Sequence, residues 1–279
     1  MKNRLLGTVS LSVLLACPAM AADLPVKAPP PPAAVFSWTG FYVGLNAGGA
    51  WGHSDATTSA SCAPVPGISP LFCSPLGAQA NAIAVAAAGT GSMSGNAFTG
   101  GGQIGYNWQN SSLVLGLEAD FESFRLRASR QTSARYPANF GPAVTTKTFT
   151  ITSSMDTDWL FTARGRLGWA FSNLLAYATG GLAITNPSAT HAFTDTPGLS
   201  ATGTWSNSET RVGWTVGGGL EWAMNRNWTV KAEYLYLNFG SVNANGTVFS
   251  PSAPGYASAT STAVDLTAHI ARAGINYKF

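Results

Sequence analysis

The chain has 279 residues, 10% of them charged and 46% hydrophobic, with 31 glycines, 14 Phe, 9 Trp, 8 Tyr and a formal net charge of +3. A soluble domain carries about 25% charged residues, and this much apolar surface excludes a disordered acidic or basic tail. A bundle of membrane helices is excluded as well: a span needs roughly 20 predominantly apolar residues, and the long uncharged stretch 5–22 is interrupted by Thr8, Ser10, Ser12 and Pro18. The composition fits a transmembrane β-barrel, in which every second residue of a strand needs to be apolar.

In chain order, residues 1–21 read as a signal peptide. Lys2 and Arg4 form a cationic start, an apolar run follows, and Ala19-Met20-Ala21 is a small-x-small cleavage site. Loss of Lys2 and Arg4 brings the mature charge near zero, which points to no nucleic-acid partner. Leu14-Leu15-Ala16-Cys17 is a competing, less well formed lipoprotein box that would lipidate Cys17. Residues 22–37, with Pro25 and Pro29 to Pro32, read as an extended periplasmic linker.

From residue 38 to 279 period-two alternation recurs in eight stretches: 38–51, 98–108, 113–124, 158–171, 174–185, 211–223, 228–239 and 266–279. A tilted membrane strand needs about 9 to 11 residues. The gaps alternate long and short. The short ones are rich in the turn formers Asn and Ser, and the long ones are 52–97, 125–157, 186–210 and 240–265. This predicts an all-β fold, an eight-stranded antiparallel transmembrane barrel with short periplasmic turns and four long extracellular loops. The first of those loops carries Cys62 and Cys73. In an exported chain they are expected to form a disulfide.

Parity sorts the charges. Leu113, Leu115, Leu117, Ala119 and Phe121 share one face, and Glu118, Asp120 and Glu122 the other. Arg164 and Arg166 oppose Trp159, Phe161 and Leu167. Glu221, Lys231, Glu233 and Arg272 also sit opposite the apolar face of their strands. A charge facing lipid at mid-bilayer costs about 2–4 kcal/mol, so these nine residues are expected to line the lumen. Pairs are predicted between Glu118, Asp120, Glu122 and Arg164, Arg166, and between Glu221, Glu233 and Lys231, Arg211, Arg272. The stretch 174–185 is ambiguous, because Leu175 and Tyr177 lie opposite its apolar set. Aromatics end the apolar faces, as in Phe41 and Trp51, Phe98 and Trp108, Trp159 and Trp169, and Trp214 and Trp222, which predicts two interfacial girdles.

Signals for chemistry are weak. The Gly-rich run from Gly100 to Gly105 satisfies a dinucleotide fingerprint but opens no helix, so it reads as barrel wall. The histidines are His53, His191 and His269. Asp195 follows His191 by four residues and nothing further converges on them, so all three read as rim or loop residues. No catalytic residue, cofactor or metal ligand is expected.

The C-terminal Arg272-Ala273-Gly274-Ile275-Asn276-Tyr277-Lys278-Phe279 resembles the sorting signal of outer-membrane barrels. So read, Gly274, Tyr277 and Phe279 are an assembly signal. Together with Pro18-Ala19-Met20-Ala21-Ala22-Asp23-Leu24-Pro25, Trp38-Thr39-Gly40-Phe41-Tyr42-Val43-Gly44 and Ala178-Thr179-Gly180-Gly181-Leu182-Ala183, it resembles the porin-family outer-membrane immunogenic proteins of alphaproteobacteria, OmpA-like eight-stranded barrels. The resemblance implies the cell outer membrane, with lipid, lipopolysaccharide and the barrel-assembly machinery as partners. The expected function is a structural, surface-exposed envelope role with narrow porin-like conductance at most. The alternative is a surface binding protein, an adhesin or a binder of haem or another external ligand.

Overall fold

In the computed structural model of the chain the described residues are 36–63, 67–73, 78–137, 147–196 and 200–279. The signal peptide, its cleavage site, Cys17 and most of the linker lie outside them. Among the described residues are thirteen strands in one sheet, not eight. They are β1 (Gly40–Ala60), β2 (Ser69–Pro70), β3 (Gly91–Asn110), β4 (Leu113–Phe124), β5 (Arg127–Arg135), β6 (Thr148–Asp156) and β7 (Trp159–Phe171). There follow β8 (Leu174–Thr185), β9 (Ser188–Asp195), β10 (Thr202–Ser208), β11 (Arg211–Ala223), β12 (Trp228–Phe249) and β13 (Tyr256–Lys278). A helix, α1 (Ala78–Gly89), lies between β2 and β3.

The ladders close on themselves. β13 pairs with β12 and with β1, and the circuit runs β1–β3–β4–β7–β8–β11–β12–β13 and back to β1, every pair antiparallel. Closure removes both sheet edges, which lipid cannot hydrate. The rest of the sheet continues this circuit beyond short bends. β4 passes through Arg125 and Leu126 into β5, β6 through Thr157 and Asp158 into β7, β8 through Asn186 and Pro187 into β9, and β10 through Glu209 and Thr210 into β11. Pro187 has no N–H to give a ladder. At the first bend Thr157 donates its hydroxyl to the Phe124 carbonyl at 2.6 Å and accepts the Leu126 amide at 3.2 Å. Asn186 accepts the Asp158 amide at 3.1 Å.

The segments predicted as long loops are therefore largely strand. β5 pairs β6, β6 pairs β9, β9 pairs β10, and β1, β3, β12 and β13 run straight on. The physical reason is solvent. In these segments the outward residues are polar, as are His53, Asp55, Thr57 and Ser59 of β1, so the apolar alternation used to find strands fades although the backbone pattern continues. β12 also changes parity on the way. Its inward residues are Leu235, Leu237 and Phe239 below a bulge between Asn238 and Gly240, and Val242, Ala244 and Val248 above it. Gly240 takes φ +66°, a conformation that glycine adopts without strain, and its amide is received by Asn238 Oδ1 at 2.9 Å.

The outward face carries an apolar band. Leu45, Phe98, Leu117, Leu167, Leu182, Val212 and Leu220 are all more than half exposed. Phe41 and Trp51, which bound the band on β1, are separated by about 33 Å of strand, or about 25 Å of height at a barrel tilt near 40°, which is the hydrocarbon height a barrel needs. Above Trp51 the outward residues of β1 are His53, Asp55, Thr57 and Ser59.

Candidate functional site: the closed lumen

The interior is layered. At the end near the short turns, Trp38, Val114, Ala170, Leu175, Tyr177 and Ala223 form an apolar floor. Trp38 is 1% exposed and is anchored by its amide, which Gln109 Oε1 accepts at 2.7 Å. Leu175 and Tyr177, ambiguous in the sequence, point inward because this floor requires them.

Above the floor lies the charged layer, built by the inward parity of β4, β7, β11, β12 and β13. Arg164 donates to Glu118 at 2.6 Å, to Asp120 at 2.8 Å and to Glu233 at 3.1 Å. β7 and β12 are not neighbours in the sheet, so the Arg164–Glu233 contact crosses the interior. Arg166 pairs with Glu221 at 2.6 Å and with Glu118 at 3.5 Å. Lys231 reaches Glu118 at 3.0 Å and Glu233 at 3.7 Å. Arg272 reaches Asp120 and Glu122, each at 3.0 Å, and Glu233 at 2.6 Å. All nine predicted lumen residues are buried and meet in one cluster. Arg211 does not join it. It sits at the outer end of β11 and pairs with Glu209, because strand alternation carries it a full barrel height from Glu221.

Neutral side chains complete the cluster. The Tyr42 hydroxyl donates to Glu118 at 2.7 Å and accepts from Arg166 at 2.7 Å. Tyr177 donates to Glu233 at 3.0 Å, and its ring lies 3.9 Å from the Arg166 guanidinium carbon. Thr162 donates to Asp120, Thr229 and Asn276 to Glu221, and Thr99 to Glu122. These partners were missed, and inward parity is the signal that would have found them. Glycine makes the room: a Cβ at Gly105 would meet the Tyr42 ring at 2.4 Å, and one at Gly101 would meet the Glu122 backbone at 2.5 Å.

Over the charged layer lies a second apolar layer that includes Phe124, Leu160, Leu235, Leu237, Phe239, Val264, Leu266 and Ile270. Beyond it the outer half has its own core, in which Phe72, Val85, Phe149, Phe193, Trp205 and Val248 pack together. Cys62 and Cys73 are joined by a disulfide beside this core, with Cα atoms 5.6 Å apart. His191 is buried there. It stacks on Trp205 at 5.7 Å and bonds Ser153 at 2.9 Å, and burial lowers its pKa to about 4. His191 is thus a core residue, not a rim residue. Among the described residues no three His, Cys, Asp or Glu side chains group as metal ligands.

At the chain end, Gly274 leaves space for the Lys231 stem, which a Cβ would meet at 3.3 Å. Tyr277 packs edge-on against Phe279 and Trp228, each at 5.1 Å. Phe279 is 69% exposed, and its amide is held by the Phe41 carbonyl at 3.0 Å.

Comparison with known proteins follows the same lines. Residues 9–279 match the outer membrane protein beta-barrel domain. The chain is 34% identical to the 31 kDa outer-membrane immunogenic protein of Brucella melitensis over 97% of both chains. It is 24% identical to the 25 kDa outer-membrane immunogenic protein of Brucella abortus over 94% of this chain and 91% of the relative. Among solved structures it is similar to the outer membrane protease OmpT from Escherichia coli, at 8% identity and a TM-score of 0.45 over 89% of this chain and 99% of that one. Likeness at that level says nothing of this chain's chemistry. A family match that runs from residue 9 to the terminal Phe279 leaves the assignment plain: the chain belongs to the outer membrane protein beta-barrel domain family, and its place is the outer membrane.

Proposed function

We propose that the closed circuit is an eight-staved membrane-spanning barrel, with the short turns in the periplasm and the bent continuations outside. Its role is structural: it anchors the packed outer half at the cell surface and does not conduct. One observation carries this reading. The charged cluster is cross-linked through the interior and lies between two apolar layers, the floor around Trp38 and the layer around Phe239 and Leu266. An eight-stranded barrel has an interior that side chains can fill. Purified protein in planar bilayers is expected to give no conductance steps. Steps of stable size would reject the sealed lumen and restore a narrow pore.

Lipid and lipopolysaccharide meet the apolar band in this reading, and the barrel-assembly machinery takes hold of Gly274, Tyr277 and the exposed Phe279. A surface-binding role is the second reading. It is favoured by the separate core and the disulfide of the outer half, which make a packed platform where long loops were expected. Cells whose outer half is replaced by short turns would lose attachment to an external ligand under this reading and keep it under the first.

A further inference from the structure

His53, set aside as a lone rim residue, has partners in the fold. His53 Nε2 lies 3.3 Å from Asp55 Oδ1, and its Nδ1 lies 3.3 Å from Ser94 Oγ. With the ring proton on Nε2, His53 donates to Asp55 and accepts the Ser94 hydroxyl proton. The arrangement is set by the sheet. His53 and Asp55 are successive outward residues of β1, and Ser94 is opposite His53 in the β1–β3 register. Asp265 of β13 stands opposite Asp55 in the register and accepts the Ser241 hydroxyl of β12, so Asp55 is the carboxylate at the His53 ring. Asn96, the next outward residue of β3, carries an amide on the same face. Immediately below are Trp51 and Phe98 of the outer girdle, 51% and 74% exposed.

We propose that Ser94, His53 and Asp55 form a nucleophile, base and orienting carboxylate that hydrolyse a carboxylic ester of a lipid lying in the outer leaflet. The roles follow from residue type and contact, with the two ring nitrogens exchanged relative to the serine-protease triad. Ser94 Oγ attacks the ester carbonyl carbon as its proton passes to His53 Nδ1. The bond from that carbon to the alcohol oxygen breaks, and the leaving alkoxide takes the proton from His53. A water then attacks the carbonyl carbon of acyl-Ser94 as its proton passes to His53; the bond from that carbon to Ser94 Oγ breaks, His53 returns the proton to Oγ, and the fatty acid leaves. Asn96 is placed to supply a hydrogen-bond donor to the oxyanion, a role that side-chain amides fill elsewhere. Height supplies the substrate class. Ser94 is level with His53, about 7 Å of strand beyond the girdle Trp51, or about 5 Å of height at the same tilt, which lies in the headgroup layer bordering the hydrocarbon core, where lipid acyl esters lie while their chains run past the girdle rings.

The test uses full-length protein refolded in detergent and in vesicles of phosphatidylethanolamine and phosphatidylglycerol. A fluorophosphonate probe is expected to label Ser94, identified by peptide mass, and free fatty acid is expected to appear. Ser94→Ala should abolish both. His53→Ala should lower the rate about a hundredfold, and Asp55→Asn, a positioning change, should lower kcat with KM unchanged. All three side chains are on the surface, so the heat-modifiable gel mobility of the folded barrel should be the same in each variant. An unlabelled Ser94 at saturating probe, or fatty-acid release that persists in Ser94→Ala, would overturn the proposal.

Discussion

Along β13 the inward residues change character within one step. Arg272 holds Asp120, Glu122 and Glu233, whereas Ile270, Ala268, Leu266 and Val264 are buried among apolar groups. The outward residues change the opposite way, from Ile275, Ala273 and Ala271 to Thr267, Asp265 and Ser261. Along this strand the lower part is apolar outside and ionic inside, and the upper part is polar outside and apolar inside. One backbone architecture serves both, because a strand presents its alternate residues to whatever lies on each side. The difference teaches that the interior is chosen by contrast with the surroundings. Where the outward residues are apolar the charges can gather only inward, and there they pair above the apolar floor around Trp38. In water the ordinary apolar core returns.

The two halves should then fail differently. The largest effect is expected from Arg164→Ala, which takes a shared cation from Glu118, Asp120 and Glu233 and leaves five buried carboxylates to three cations. Breaking a buried pair from one side costs about 3–5 kcal/mol, and the loss should appear as a lower urea midpoint for the whole barrel in vesicles. An unchanged midpoint would place the stability elsewhere. Phe193→Ala removes a ring packed against Phe72 at 5.5 Å and Phe149 at 5.7 Å. Its cost of about 3–5 kcal/mol should be confined to the outer half, with faster proteolysis there and an intact membrane fragment. Cleavage spread equally over both halves would deny that the cores are separate.

Reduction of Cys62–Cys73 should be milder. A loop of this size contributes at most about 3 kcal/mol in the entropy model. The barrel should survive reducing agent and keep its gel mobility, while proteolysis near the short 3-10 turn Leu71–Cys73 quickens. Barrel unfolding on reduction would show that the halves are coupled. The smallest effect is acid sensitivity. Burial holds the His191 pKa at about 4, below its usual 6.5, so the unfolded state binds the proton more readily. The stability His191 contributes is complete above about 6.5 and declines as pH falls toward 4. Asp195 acts with the opposite sign, because burial raises its pKa and protonation relieves it. Amide protection in β9 and β10, referred to the intrinsic exchange rate at each pH, should fall between pH 7 and pH 4.5, and His191→Phe should blunt that change. An equal response in the variant would remove His191 from the account.

Much of the lower half was legible in sequence. The boundaries of β4, β8 and β11 and the parity of nine lumen charges follow from alternation, because lipid on one side makes the pattern strict. The upper half was not legible. Thr148–Asp156 and Ser188–Asp195 are polar on one face and mixed on the other, which reads as loop unless the outer medium is known to be water. The bulge at Gly240 hides the continuation of β12, since parity reverses across it. Tyr42 and Tyr177 carry no charge to mark them as members of the cluster, and the closeness of Ser94 to His53 depends on a register that only folding reveals.

The central claim is that charges bind across the lumen, between strands that share no ladder. A double-mutant cycle on Arg164 of β7 and Glu233 of β12, with unfolding in vesicles as the readout, tests it most directly. Each single replacement, Arg164→Met and Glu233→Gln, removes the cross-lumen contact while the remaining partners stay held by Arg166, Lys231 and Arg272 or by Glu118 and Asp120. The account predicts that the double variant is more stable than the sum of the single losses implies, by about 0.5–3 kcal/mol, the range seen for groups in one network. Additive losses would contradict the claim and leave the lumen charges as neighbours without a common bond.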